Sequence, residues 1–525
     1  MEARRGLWSL FAKTGYGRFQ RKEENWSVIY LSFFSTRGGS YVTASQAILR
    51  GLAPDGGLYV PTVFPTVSEK DIALLGQMPY PDRAVEILKH YLEDYSLREL
   101  SQAAKAAYSP ERFHDPAVAP VKKLDAGTWI LELFHGPTLA FKDMALQILP
   151  HLTRMAAEKN GEKREISILV ATSGDTGKAA LEGFRDVAGT SCTVFYPLDG
   201  VSEVQRLQMV TTGGENTHVI AVRGNFDDAQ TGVKELFSSP EFAEKMSAAG
   251  RVMSSANSIN FGRLAPQIVY YFSAYADLLS QGEIRPGDPV NFCVPTGNFG
   301  NILAGYYARN MGLPINKLIC ASNRNNVLSD FFHSGIYTTH RTFFKTISPS
   351  MDILVSSNLE RLLFEAADRD GELIRVWMRQ LKEKGSYSVG EQRHDWMAGM
   401  FWAECADDKD TRAEISARWV QDHYLMDPHT AVASHVLRQY RLQSGDPTPT
   451  VLVSTASPYK FAADVLQSIT GAQQQDAFAA SAELEKLTGV PMPEQVRTLQ
   501  SLPIRHRAET DRNSMGEALL KEFGK

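Results

Sequence analysis

Long apolar runs are missing from this chain. No stretch approaches the roughly 18 uninterrupted apolar residues of a transmembrane helix, so such a helix is excluded and no membrane partner is expected; mean hydropathy is −0.24. Cysteine is scarce, with four in 525 residues. Cys192, Cys293, Cys320 and Cys405 lie far apart with no Cys-x-x-Cys, which excludes a zinc ribbon or thioredoxin-like motif. The first three sit in apolar, strand-like runs and are expected to be reduced core thiols, as in a protein of the cytoplasm. Neither sign of charge dominates. The 55 Lys and Arg against 60 Asp and Glu leave a net charge of −5, with no basic footprint for nucleic acid. Repeats and low-complexity tracts are absent too. What remains is ordinary globular composition, 43% hydrophobic and 22% charged, in about three domains' worth of chain.

Residues 1–28 hold several Arg and Lys and are expected to form a disordered extension, an organelle transit peptide being the alternative. An N-terminal α/β region is expected over 29–118. There Pro54-Asp55-Gly56-Gly57 makes a turn, Leu58-Tyr59-Val60 a short strand, and residues 68–108 show helical apolar spacing. From Val121 the pattern becomes strand and helix in alternation. Glu165–Ala171, Cys192–Tyr196, Thr217–Val222, Val290–Val294, Leu318–Ala321 and Thr450–Ser454 are short apolar runs separated by helices. That pattern predicts βαβ units and a parallel sheet buried on both faces. Residues 119–324 are expected to form the first part of this core, and 325–446 a mainly helical insertion. Residues 447–525 are expected to complete the core and end in a helical tail.

Three loops follow predicted strands, where ligands of open parallel sheets collect. Ala171-Thr172-Ser173-Gly174-Asp175-Thr176-Gly177-Lys178 opens a helix and can aim backbone N–H groups at an anion. It is no P-loop, because only two residues separate the glycines and Ala179 follows the lysine. Val294-Pro295-Thr296-Gly297-Asn298-Phe299-Gly300-Asn301 suits a phosphate monoester. Its glycines allow close backbone approach, and Asn298 and Asn301 tolerate left-handed conformations. It is not the G-x-G-x-x-G of dinucleotide folds. Val453-Ser454-Thr455-Ala456-Ser457-Pro458 places hydroxyls at a strand end. Helix capping without a ligand is the alternative for each loop. Lys142 follows Phe134-His135-Gly136-Pro137-Thr138-Leu139-Ala140-Phe141 in mostly apolar surroundings, which lower a lysine's pKa and favour the nucleophilic amine; a surface lysine beside Asp143 is the alternative. A nucleophilic lysine with a phosphate nest is what pyridoxal 5′-phosphate (PLP) requires.

These residues resemble threonine synthases of the long bacterial and fungal type, within fold type II of PLP enzymes, the tryptophan synthase β-like fold. The matching segments are Ser35–Gly38, Gly51–Pro61, Phe134–Asp143, Thr172–Gly177, Gly224–Asp228, Asn257–Asn260 with Arg263, Gly297–Asn301 and Ser454–Phe461. The resemblance implies that Lys142 forms the Schiff base with PLP. Gly297, Asn298, Phe299, Gly300 and Asn301 would cradle its phosphate, and Thr455 would bond its pyridine nitrogen. Ser173, Asp175 and Thr176 would bind the amino-acid substrate, with Asn257 and Arg263 at its phosphate. Ser457 and Tyr459 depart from the His and Ala that members often carry. The implied reaction is O-phospho-L-homoserine plus water to L-threonine and phosphate. A phospho-lyase, an amino-acid dehydratase or a non-catalytic PLP-binding homologue are the alternatives. A cytoplasmic monomer or homodimer with a small-molecule substrate and no metal is expected.

Overall fold

The apolar runs expected as strands sort into two sheets. The computed structural model describes residues 31–172, 174–198 and 201–524; the extension expected over residues 1–28 lies outside them. The larger sheet has six strands in the order Phe401–Cys405, Ile315–Ser322, Val290–Pro295, Thr450–Ser454, Thr128–Glu132, Val121–Asp125. All its pairings are parallel except the last, between Thr128–Glu132 and Val121–Asp125. The second sheet is fully parallel, in the order Ala508–Asp511, Thr217–Arg223, Thr190–Pro197, Glu165–Ala171, Arg251–Ser254. The central strands are buried along their whole length apart from Glu165 at the start of Glu165–Ala171, as sheets covered by helices on both faces require.

The helix Phe261–Ser280 is apolar nearly all round and buried from Phe261 to Tyr275. A helix of that kind belongs inside a protein, and each large side chain it hides contributes about 1.5–3 kcal/mol. It packs in the main core with the helix Gly300–Asn310.

An antiparallel three-stranded sheet, Gly38–Val42, Phe33–Ser35 and Tyr59–Pro61, forms near the N-terminus. It is tied to the helix Leu359–Ala366. Glu360 accepts from Thr36 Oγ1 at 2.6 Å and from Arg37 at 2.9 and 2.8 Å. Buried Arg361 donates to the carbonyls of Tyr59 and Ile259 at 3.0 and 2.6 Å. Part of the Ser35–Gly38 motif therefore does a structural job.

Residues 325–446 contain mostly helix, but also the strand Phe401–Cys405 at the edge of the larger sheet. The C-terminal stretch likewise carries the strand Ala508–Asp511, which lies beside Thr217–Arg223. Both are short edge strands with charged residues, a pattern that gives little periodic signal. Among the described residues no helix is long and apolar enough to cross a membrane.

Candidate active site

Lys142 is placed by a strand pair that continues beyond its sheet. Thr128–Glu132 and Thr450–Ser454 pair in parallel. The two chains then stay together: Leu133 N–H bonds Ser454 O at 3.0 Å, Phe141 N–H bonds Thr455 O at 2.8 Å, and Ser457 N–H bonds Leu139 O at 3.0 Å. The segment between turns back tightly. Leu139 is left-handed (φ 59). A Cβ on Gly136 would lie 2.6 Å from Asp143, which no side chain tolerates. Asp143 accepts from the backbone and hydroxyl of Thr138, both at 2.8 Å, and burial raises its carboxyl to about 6 despite these bonds. Gly136, Thr138 and Asp143 thus form a scaffold that presents Lys142 beside Thr455.

Around the Lys142 amine lies a cluster drawn from distant segments. Its Nζ is 3.6 Å from Asp175 Oδ2 and 3.4 Å from Ser350 Oγ. Ser350 Oγ donates to the same Asp175 oxygen at 3.1 Å. Lys460 Nζ reaches Asp175 Oδ1 at 2.9 Å, and Gln205 Nε2 donates to that oxygen at 3.3 Å. Ser350 is held through its backbone N–H, which donates to His429 Nε2 at 3.1 Å; His429 Nδ1 is 2.8 Å from Asp427 Oδ1. Burial pulls the Lys142 ammonium below the ordinary lysine range. Asp175 opposes this, while Lys460 and Arg263 add to it. Burial would raise the Asp175 carboxyl, but Lys460 and Lys142 overcome that and hold it well below the carboxylate range. The result is a largely buried amine that holds its proton less tightly than an ordinary lysine, next to a fixed carboxylate.

Asp175 begins the helix Asp175–Phe184, and Gly174 before it has φ 139. Thr172 Oγ1 accepts from the N–H groups of Gly174 and Gly177, both at 3.0 Å. Thr172 therefore supplies the capping bonds, leaving the Asp175 carboxylate for the lysines. Thr176 is half-buried, and Ser173 lies outside the described residues. Lys178, the residue that suggested a P-loop, is tied to Glu182 and Thr212 instead.

In the 296–301 loop the left-handed residue is Phe299 (φ 65), not either asparagine. Asn301 lies inside the helix Gly300–Asn310, where left-handed geometry is unavailable. The loop's carbonyls are held from the 350–358 segment: Ser356 Oγ donates to Gly297 O at 2.8 Å, and Asn358 N–H to Asn298 O at 3.1 Å. A Cβ on Gly297 would lie 3.0 Å from the Ser350 carbonyl, whereas one on Gly300 meets only ordinary contacts from 3.5 Å outward. The Asn298 side chain is exposed. Asn301 Oδ1 accepts from Tyr270 and Tyr271 hydroxyls at 2.7 and 2.8 Å, while its buried Nδ2 has no partner.

Thr455 is buried at the strand end, and the cap of the following turn Pro458–Phe461 is Ser457, whose hydroxyl accepts from Tyr459 N–H. Arg263 is buried in the first turn of Phe261–Ser280. It donates to Ala256 O at 2.5 Å, its Nε has no partner, and burial lowers it to about 10. Asn257 is half-buried in the turn that leads into this helix. Asn301 Nδ2 and Arg263 Nε are each buried donors left unpaired by the protein, and the oxygens of an anion such as a phosphate suit either of them.

Ser350, His429 with Asp427, Gln205 and Lys460 received no role from sequence reasoning. Lys460 carried a readable signal, a lysine in the buried run Pro458–Phe461 after a strand. Ser350 carried none.

A parallel α/β core that closes on a buried lysine defines a class of enzyme, and a family model described as pyridoxal-phosphate dependent enzyme matches residues 116–390. Two further models, threonine synthase N terminus and threonine synthase C-terminal, match residues 32–108 and 430–507. The chain is 40% identical over 436 residues to threonine synthase of Pseudomonas aeruginosa, covering 82% of this chain and 89% of that protein. It is 41% identical over 435 residues to human threonine synthase-like 1, covering 81% of this chain and 58% of that protein. The chain thus spans just over half the length of those threonine synthase-like 1 relatives. The crystal structure of PLP-bound threonine synthase from Brucella melitensis matches with a TM-score of 0.83 at 37% identity, over 94% of this chain and 99% of that one. The chain belongs to the threonine synthase family of PLP-dependent enzymes.

Proposed function

We propose that this protein converts O-phospho-L-homoserine and water to L-threonine and phosphate with PLP as cofactor. The observation that carries the reading is the largely buried Lys142 amine, shared between Asp175 and Ser350 at the carboxyl end of a parallel sheet. Lys142 would hold the cofactor's aldehyde carbon. The backbone of Gly297, Asn298, Phe299, Gly300 and Asn301 would hold its phosphate, and the Thr455 hydroxyl its ring nitrogen. When bound, PLP supplies an electron sink for negative charge at the substrate's Cα.

The protein's own groups supply the proton transfers and the charge. Lys142 Nζ takes the proton from Cα; a proton is then lost from Cβ as phosphate leaves Cγ, Cγ gains a proton, water adds at Cβ, and Lys142 returns a proton to Cα. Ser350 Oγ and Asp175 fix the position of that nitrogen. Arg263 and Asn257 receive the dianionic phosphate that leaves Cγ, with Ser173 assigned to the amino-acid side together with Asp175 and Thr176. Arg263 suits its role because its guanidinium is buried with one N–H unpaired. The free thiols of Cys192, Cys293 and Cys320, all buried, support a reducing, cytoplasmic setting. A monomer or homodimer belongs to the same proposal.

A phospho-lyase is the second reading, because releasing phosphate without adding water would use the same Lys142 amine and the same unpaired Arg263 donor. Incubation with O-phospho-L-homoserine, following phosphate and threonine together, decides. Equal yields of both support the synthase. Phosphate without threonine supports the lyase, and no turnover supports a binding homologue.

A further inference from the structure

The site contains a second lysine that the reaction outlined above does not use. Lys460 lies in the turn Pro458–Phe461, and its side chain is 0% exposed. Its Nζ touches Asp175 Oδ1 at 2.9 Å and donates to the Thr138 carbonyl at 2.8 Å. Lys142 approaches the other oxygen of the same carboxylate, at 3.6 Å. One buried carboxylate therefore serves two amines, and Lys460 holds the closer contact.

The remaining charged groups around Lys142 can be named. Arg263, on the helix Phe261–Ser280, adds a positive charge that disfavours the Lys142 ammonium. Asp143, the next residue, is turned to Thr138. His429 acts on Asp175 and reaches the amine only through Ser350, while its own ring is held by Asp427. No other carboxylate among these contacts reaches Lys142. A carboxylate alone beside a buried amine favours the protonated amine, and a proton there blocks both nucleophile and base. A second cation on the carboxylate offsets this.

We infer that Lys460 is a positioning residue that engages Asp175, so that the carboxylate can orient Lys142 without retaining its proton. The inference rests on Lys142 being the cofactor lysine. It gives one reason for a lysine inside an apolar turn, where an unpaired cation would be strongly disfavoured. It also assigns the Thr138 carbonyl a role, as the second anchor that keeps Lys460 on Asp175.

The test uses the purified PLP-loaded protein and variants. In the starting protein the visible absorbance of the lysine-bound cofactor is expected, and Lys142→Ala is expected to lose it. Absorbance that survives in Lys142→Ala would remove Lys142 as the cofactor lysine, separately from any result at Lys460. The informative variant is Lys460→Met, which keeps length and removes charge. The pH midpoint of the visible absorbance, and the acid limb of the kcat profile, should both rise by about one unit or more, as expected for an opposite charge left alone within about 4–6 Å. Lys460→Arg should keep both near their starting values. The double variant Asp175→Asn with Lys460→Met should bring the absorbance midpoint back toward the starting value. Unmoved midpoints in Lys460→Met, or a shift that Asp175→Asn does not reverse, would overturn the inference. If Lys460→Met fails to fold, the double variant should fold and bind PLP because no lone carboxylate remains. A double variant that fails equally would also overturn it.

Discussion

The loops Thr172–Gly177 and Thr296–Asn301 look alike in sequence and work differently. Each follows a buried parallel strand, carries two glycines and opens a helix. In the first, Thr172 takes up the free amides, and the Asp175 side chain is released toward Lys142 and Lys460. In the second, the carbonyls are pinned by Ser356 and Asn358, and the left-handed residue is Phe299. One loop thus delivers a charged side chain, and the other is shaped as a backbone turn. Glycine at a strand end marks where a ligand collects, but not whether side chain or backbone will meet it.

The strongest way to break the first loop is Asp175→Ala. It leaves buried Lys460 and largely buried Lys142 without their shared carboxylate, and losing one partner of a buried pair costs about 3–5 kcal/mol. Denaturant unfolding should show a loss of that order, with turnover of O-phospho-L-homoserine abolished in the folded fraction. Gly297→Val attacks the second loop at its closest approach, 3.0 Å from the Ser350 carbonyl. Overpacking of this kind costs about 1–3 kcal/mol. Because the shift pushes on both the proposed phosphate cradle and Ser350, equilibrium dialysis should show weaker PLP binding than the loss of stability alone would give. Unchanged affinity in the folded fraction would make this glycine structural only.

Thr172→Val removes the hydroxyl that accepts two amides and should cost about 1 kcal/mol. A lower melting temperature with near-normal PLP affinity is expected, which would separate the capping residue from the charged one beside it. The smallest effect should come from Gly300→Ala. A Cβ there meets only ordinary contacts, and alanine favours helix by up to about 1 kcal/mol. A melting temperature unchanged or slightly raised would confirm that only one glycine of this loop is required by space. A large loss of PLP affinity would show instead that the cofactor passes close to Gly300.

Local pattern was enough to read the strands Glu165–Ala171 and Thr450–Ser454, the loops after them, and Lys142 in its apolar segment. These features depend on neighbours in the chain: alternation of apolar runs with helices, glycine at strand ends, a lysine without polar company. The edge strands Phe401–Cys405 and Ala508–Asp511 were not readable, because runs of five and four residues are too short to show a period. Nor were the partners of Lys142. Ser350 lies 208 residues from it in sequence, and Lys460 lies 322 from its Thr138 anchor.

By itself, the sequence determined the alternation of strand and helix, the parallel core and the lysine that the core would expose to a ligand. Tertiary structure decided the rest through strand order. Thr450–Ser454 inserts between Val290–Pro295 and Thr128–Glu132, which brings Thr455 and Lys460 to Lys142 and sets the 296–301 loop at the end of the adjacent strand. No local preference encodes that order, because any of these apolar strands can pair with any other through the same backbone bonds. The choice is made by how the helices cover both faces and how the buried charges find partners, and both of those belong to the whole chain.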